Sequence, residues 1–226
     1  MAFARRIQNP EGLYFITFAT VQWVDVFTRH TYVDIVLESL KYCQNEKGLR
    51  IHAWCIMSNH LHLMISTKMN HHPSDVLRDF KKFTSKQIIA AIEDKEQPES
   101  RRGWMLWLFK KAGEDNAKNT NYQFWQQENH PIELISNKFI DQKLAYIHEN
   151  PVKAGLVDEP WEYRFSSARD YINNQKGLLE VDRTADAVDM RLQNFKRFAG
   201  LVGPLQTAFY VQYAVFCRTL RTTGGV

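Results

Sequence analysis

Two histidines one residue apart, His60 and His62, stand inside the run "CIMSNHLHLMIS" at residues 55–66. The rest of the run reads as a buried strand. In a strand, residues i and i+2 point the same way. His60, His62, Met64 and Ser66 therefore share one face, and Leu61, Leu63 and Ile65 share the other. Two imidazoles projecting together can grip one metal ion. The same pair also suits a polar or half-buried strand surface, and the pattern alone leaves both readings open. A structural zinc site would want two more Cys or His ligands at finger-like spacing. His52 and Cys55 are near in sequence, but no such spacing exists, so oxygen co-ligands suit the pair better.

A second constellation lies in "LAYIHENP", where Tyr146 and Asn150 are four apart. A helix puts i and i+4 on one face, which sets a phenolic oxygen beside an amide carbonyl. On the residues alone the plainer account is preferred: Tyr146 at the edge of a core, and Asn150 as a stop before Pro151. His148 falls on another face of that helix and stays outside the site. A third feature is basic. "RDFKKFTSK" sets Arg78, Lys81, Lys82 and Lys86 along one helix with Phe80 and Phe83 inward, and "RRGWMLWLFKK" adds Arg101, Arg102, Lys110 and Lys111 with Trp104 and Trp107. Cations interleaved with rings suit a single nucleic-acid strand, where phosphates meet charge and bases stack. The competing account is an ordinary solvated helix face. Lys153, just past the tyrosine helix, is a further phosphate candidate.

The elements that must position these residues follow from periodicity. "LYFITFATVQW" (13–23) predicts a strand, residues 30–48 a helix ending in Gly48, and residues 49–57 and 60–67 two further strands across a turn at Ser58–Asn59. Residues 72–95 start Pro-Ser-Asp and carry Val76, Leu77, Phe80, Phe83 and Ile88 on one side, which predicts a helix. Residues 96–122 read as an insertion with a partial helix at 103–112. A fourth strand in two pieces is expected over 122–136, then a helix over 137–150 stopped by Pro151. The order is that of a ferredoxin-like split βαβ sheet, an α+β fold, with helices on one face and the other face open for a site.

Bulk composition sets outer limits. The 226 residues allow one large domain, and a net charge of +4 is mild, so local bunching of Lys and Arg matters more than the total. Cys43, Cys55 and Cys217 fall in no paired spacing and read as free thiols of a cytoplasmic protein. No apolar run approaches the ~20 residues of a membrane helix. No G-x-x-x-x-G-K-[ST] phosphate loop is present, so chemistry driven by a bound nucleotide is not expected.

"MSNHLHLMI", followed by "FWQQ", "YIHENPVKAGLV" and "PWEYRFSSARDY" in that order, resembles the REP-associated tyrosine transposases. These are HUH single-strand nucleases with one catalytic tyrosine, HUH meaning His, a hydrophobic residue, His. The resemblance spans roughly residues 10–172 and implies a catalytic domain over 1–175, with 176–226 an extension of unknown role. It implies that His60, His62 and Asn150 hold Mg²⁺ or Mn²⁺ and that Tyr146 is the nucleophile. The reaction implied is cleavage of single-stranded or hairpin DNA, with a 5′-phosphotyrosine intermediate, a free 3′-OH and religation. Repeats flanking the protein's own gene are one candidate substrate, and the sequence leaves the target open. In related transposases the tyrosine helix can act in trans across a dimer, so the oligomeric state stays open. Two other functions are weighed: a non-catalytic DNA-binding protein derived from such a transposase, and a metal-dependent hydrolase that uses water and ignores Tyr146.

Overall fold

The computed structural model describes residues 7–115, 121–127, 129, 131–172 and 175–183. Its elements are strands β1 (Tyr14–Ala19), β2 (Leu49–Ile56), β3 (His60–Thr67) and β4 (Ile132–Glu133), with helices α1 (His30–Glu46), α2 (Pro73–Glu93), α3 (Arg102–Glu114), α4 (Asn137–Lys153) and α5 (Ala168–Ile172). The strands form one antiparallel sheet in the order β2-β3-β1-β4. That is the ferredoxin-like arrangement, with the β-branched and aromatic runs of β1 and β3 at its centre.

Alternation sorts the central strands. Tyr14, Ile16 and Phe18 of β1 and Leu61, Leu63 and Ile65 of β3 face the larger core, against Val33, Val36, Leu37 and Leu40 of α1 and Val76, Leu77, Phe80 and Ile88 of α2. Gly48, at φ 66, turns the chain from α1 into β2, a conformation that costs glycine little. The opposite face is not left bare. Phe15, Ala53, Cys55 and Met64 pack there on Leu144 and Ile147 of α4 and Tyr171 of α5. So α1 and α2 cover one face, and α4 crosses the other, carrying its own polar side toward the histidines.

Three expectations change. The first strand ends at Ala19, and Val21–Trp23 form a 3₁₀ turn. The fourth strand shrinks to Ile132–Glu133, plus one bridge between Thr20 and Trp125. Helix α4 runs through Pro151 to Lys153. Proline removes only one N–H bond this close to the end. The actual stop is Gly155 at φ 69: Gly155 N–H donates to Val152 O and Leu156 N–H to Pro151 O, both at 2.9 Å, a Schellman cap.

The insertion is part of the fold. Met105 and Phe109 of α3 are buried in the larger core. Arg102 donates to Ile92 O at 2.7 Å and Asp94 O at 2.6 Å, capping the C-terminal carbonyls of α2. Ahead of α3, buried Glu99 accepts from Arg29 Nε at 2.8 Å and from Arg101 N and Nε at 3.0 and 3.1 Å. Burial alone raises the Glu99 carboxyl, but Arg101 and Arg29 outweigh it and hold it down to about 2. A depressed carboxyl stabilises the fold above its unfolded value and loses that contribution as pH falls. Stability is therefore expected to fall between about pH 4.5 and about 2. Glu99→Gln is expected to cost about 1–3 kcal/mol at neutral pH and to flatten that acid slope. Urea melts of both proteins across the window check this; identical slopes would contradict it.

Residues 175–183 continue the described chain beyond α5. Asp182 N–H donates to Ile51 O at 2.8 Å, and Leu179 is buried. The segment "AFYVQYAVFC" (208–217) and Cys217 lie outside the described residues. Cys43 and Cys55 are free and buried. Among the described residues no helix is long and apolar enough to cross a membrane.

Candidate metal and tyrosine site

Antiparallel register fixes the neighbours of each histidine. His62 lies opposite Thr17 on β1 and Cys55 on β2, and His60 opposite Ala19. Their rings are 4.6 Å apart, centroid to centroid. Helix α4, anchored by Leu144 and Ile147, brings Asn150 Nδ2 to 3.0 Å from His62 Nε2 across 88 residues of sequence. One turn earlier, the Tyr146 ring sits edge-on at 5.1 Å from the His62 ring. Tyr146 is 40% exposed, open to a ligand. The four residues His60, His62, Tyr146 and Asn150 thus meet within a single chain.

The hydrogen-bond partners assign the tautomers. Asn59 Nδ2 donates to Trp23 O at 3.2 Å and to Asp25 Oδ1 at 3.0 Å, so its other terminus is the carbonyl. That Oδ1 lies 2.7 Å from His60 Nδ1, which must carry the proton. His62 Nε2 accepts from Asn150 Nδ2, so His62 Nδ1–H donates to Thr17 Oγ1 at 2.8 Å. Both rings are held by Nδ1, as a second layer holds ligating histidines. Burial, then His60 and Lys143, push His62 down to about 3; burial also lowers His60, against the pull of Asp25. Neutral rings are what a cation requires.

The donor set fits a divalent cation with open positions: two imidazole nitrogens and one amide. The Asn150 amide satisfies His62 Nε2 through Nδ2; turned over, it presents Oδ1. No cluster of three His, Cys, Asp or Glu that could hold a metal exists among the described residues. His52 lies apart, bonded to Ser66 Oγ and Asp182 O at 2.8 Å each. His148 is buried against Ser167 Oγ at 2.9 Å.

Residues 12–110 match the family model described as "Transposase IS200 like". The matched segment contains His60 and His62; Tyr146 and Asn150 lie beyond it. The fold is that of a solved REP-associated tyrosine transposase bound to a REP hairpin, with a TM-score of 0.55 and 19% identity, covering 83% of this chain and 93% of that one. A candidate transposase from Deinococcus radiodurans R1 is 20% identical over 43% of this chain and 74% of its own, with a TM-score of 0.33. No curated protein matches the sequence.

The basic residues expected from sequence divide by what they touch. Arg101 reaches Glu99, Asp25 O and Thr28 Oγ1, and Arg102 caps α2, so both guanidiniums hold the fold together. Lys81 donates to Gln126 O and Asn129 Oδ1, each at 2.8 Å, and burial lowers its ammonium to about 8. Arg78 pairs with Asp75 and Asp79, and Lys153 with Glu149, at exposed positions where an ion pair is worth little and exchanges readily. Lys82, Lys86, Lys110 and Lys111 are exposed, as are Trp104 and Trp107. Phe83 also points outward, 54% exposed, against the inward placement expected from sequence. The buried stripe of α2 steps through Leu77, Phe80, Thr84 and Ile88, and Thr84 Oγ1 accepts from Trp125 Nε1 at 2.9 Å.

Sequence reasoning missed Thr17, Asn59 and Lys143. Lys143 Nζ lies 4.5 Å from the Phe15 ring centre and 5.4 Å from that of Tyr146, beside the phenol one turn earlier on α4. Its i, i+3 spacing to Tyr146 was the available signal.

Proposed function

We propose that the protein is a single-stranded DNA endonuclease and strand transferase that uses Tyr146 as its nucleophile. The observation that carries this is the meeting of Asn150 with His62 at 3.0 Å while Tyr146 stands one turn away on the same helix. His60, His62 and Asn150 would hold Mg²⁺ or Mn²⁺, which supplies charge stabilisation to the scissile phosphate and the departing 3′ oxygen. Tyr146 Oη attacks phosphorus and gives up its proton to solvent. The P–O3′ bond breaks, the 3′ oxygen takes a proton, and DNA remains as a 5′-phosphotyrosine ester. Religation reverses these bonds: a 3′-OH attacks the ester and Tyr146 leaves. The phosphoester bond energy is kept throughout, in accord with the missing nucleotide loop.

The strand would lie along the exposed cations and rings of α2 and α3: Lys82, Phe83 and Lys86, then Trp104, Trp107, Lys110 and Lys111. Likeness to the hairpin-bound transposase supports a hairpin-bearing single strand as the ligand. Incubation with Mg²⁺ and single-stranded DNA from around its own gene is expected to give cleavage. Stacking is worth about 1–3 kcal/mol per base and is closed to an intact duplex. Single strands or hairpins are therefore expected to compete at least about tenfold better than plain duplex at equal salt. Equal competition would refute the groove.

A further inference from the structure

Trp23 is held in an unusual place. Gln22 and Trp23 are consecutive residues in the left-handed region, at φ 54 and 55. A bulky side chain adopts that conformation only under constraint, and such outliers concentrate at working sites. The constraint is visible. Trp23 N–H donates to Thr20 O at 3.1 Å, and its carbonyl accepts from Asn59 Nδ2 at 3.2 Å. The same Asn59 orients His60 through Nδ1. One asparagine therefore ties the tryptophan turn to a histidine of the site.

Val21 and Val24 on either side of the turn are buried, but the Trp23 side chain itself is not drawn into the core. Trp23 is 53% exposed, and its ring stands edge-on to His60 at 5.6 Å. A flat aromatic face thus opens to solvent beside the position where a phosphate would meet the metal. We propose that Trp23 is a stacking platform for the unpaired nucleobase adjoining the scissile phosphate. This deepens the nuclease reading and rests on it. Every base has a π face, so the contact selects for an unstacked base rather than for one sequence. It also accounts for the link through Asn59: a ring that seats the base and an imidazole that would hold the cation at the phosphate must keep a fixed spacing.

The test uses hairpin-bearing single-stranded DNA from around the protein's own gene, with one abasic residue moved along the strand. Trp23→Gly removes the ring and suits φ 55, so the fold is expected to persist; Trp23→Phe keeps a ring. Trp23→Gly should lose about 5- to 150-fold in kcat/KM with Mn²⁺ affinity unchanged, and Trp23→Phe less. At one position next to the cut, the abasic residue should cost the wild type a similar factor and cost Trp23→Gly nothing further. Unchanged cleavage by Trp23→Gly, or losses that multiply at every position, would overturn the platform. A wild type that cuts nothing removes the nuclease reading alone. Equilibrium binding of the same abasic series then decides the platform, since a single position must still distinguish wild type from Trp23→Gly, and a series without one refutes it.

Discussion

Tyr146→Phe is expected to abolish both cleavage and the covalent protein–DNA complex while leaving the fold intact. The substitution removes one oxygen. The ring keeps its edge contacts with Phe15 at 5.9 Å and His62 at 5.1 Å, and 40% exposure means no buried partner loses a hydrogen bond to solvent exclusion. The expected loss is on the order of 10⁶ in rate, the scale seen when a nucleophile is removed. DNA affinity, dominated by phosphate contacts elsewhere, should change little. Tyr122, Tyr163 and Tyr171 do not compete on geometry. Tyr122 OH donates to Glu93, Tyr163 OH to Ile56 O, and Tyr171 OH to His52 O. Cleavage retained in Tyr146→Phe would place the nucleophile elsewhere.

His60→Ala, His62→Ala or chelation by EDTA is expected to stop cleavage as well. A cation that steadies a phosphoryl transfer contributes several kcal/mol, so the loss should be on the order of 10³ or more. His62 should be the more damaging to replace, since it also holds Asn150 at 3.0 Å and Thr17 at 2.8 Å. Thr17→Val leaves His62 Nδ1–H without its acceptor and should weaken Mn²⁺ binding about 10- to 100-fold. Calorimetric titration of Mn²⁺ into each variant measures this directly. Full activity in EDTA would remove the metal from the mechanism.

The site was legible where it depended on local periodicity. The strand period puts His60 and His62 on one face, and the helix period pairs Tyr146 with Asn150; each can be read from a few residues. Their meeting was not legible, because it depends on α4 crossing the sheet face opposite α1 and α2. The basic groove was over-read for a related reason. A sequence displays the charge of Arg101, Arg102 and Lys81 but not the carbonyls and carboxylate that surround them. Phe83 misled because it lies at the rim of the apolar stripe, where Thr84 takes the inward place through its bond to Trp125. Pro151 was taken for the helix end, whereas Gly155 supplies the left-handed turn that ends it. Asn59 looked like a turn residue, and only the folded chain shows it joining Trp23, Asp25 and His60.

One measurement bears most directly on the central claim that Tyr146 attacks DNA. Single-stranded DNA from around the protein's own gene, labelled on the side 3′ to the cut, is incubated with the protein and Mg²⁺ and run on a denaturing gel. The expected result is label shifted to the protein band in the wild type and not in Tyr146→Phe, together with an unlabelled fragment ending in 3′-OH. Cleavage by the wild type with no label on the protein would contradict the account, because water would then be the nucleophile and Tyr146 a bystander.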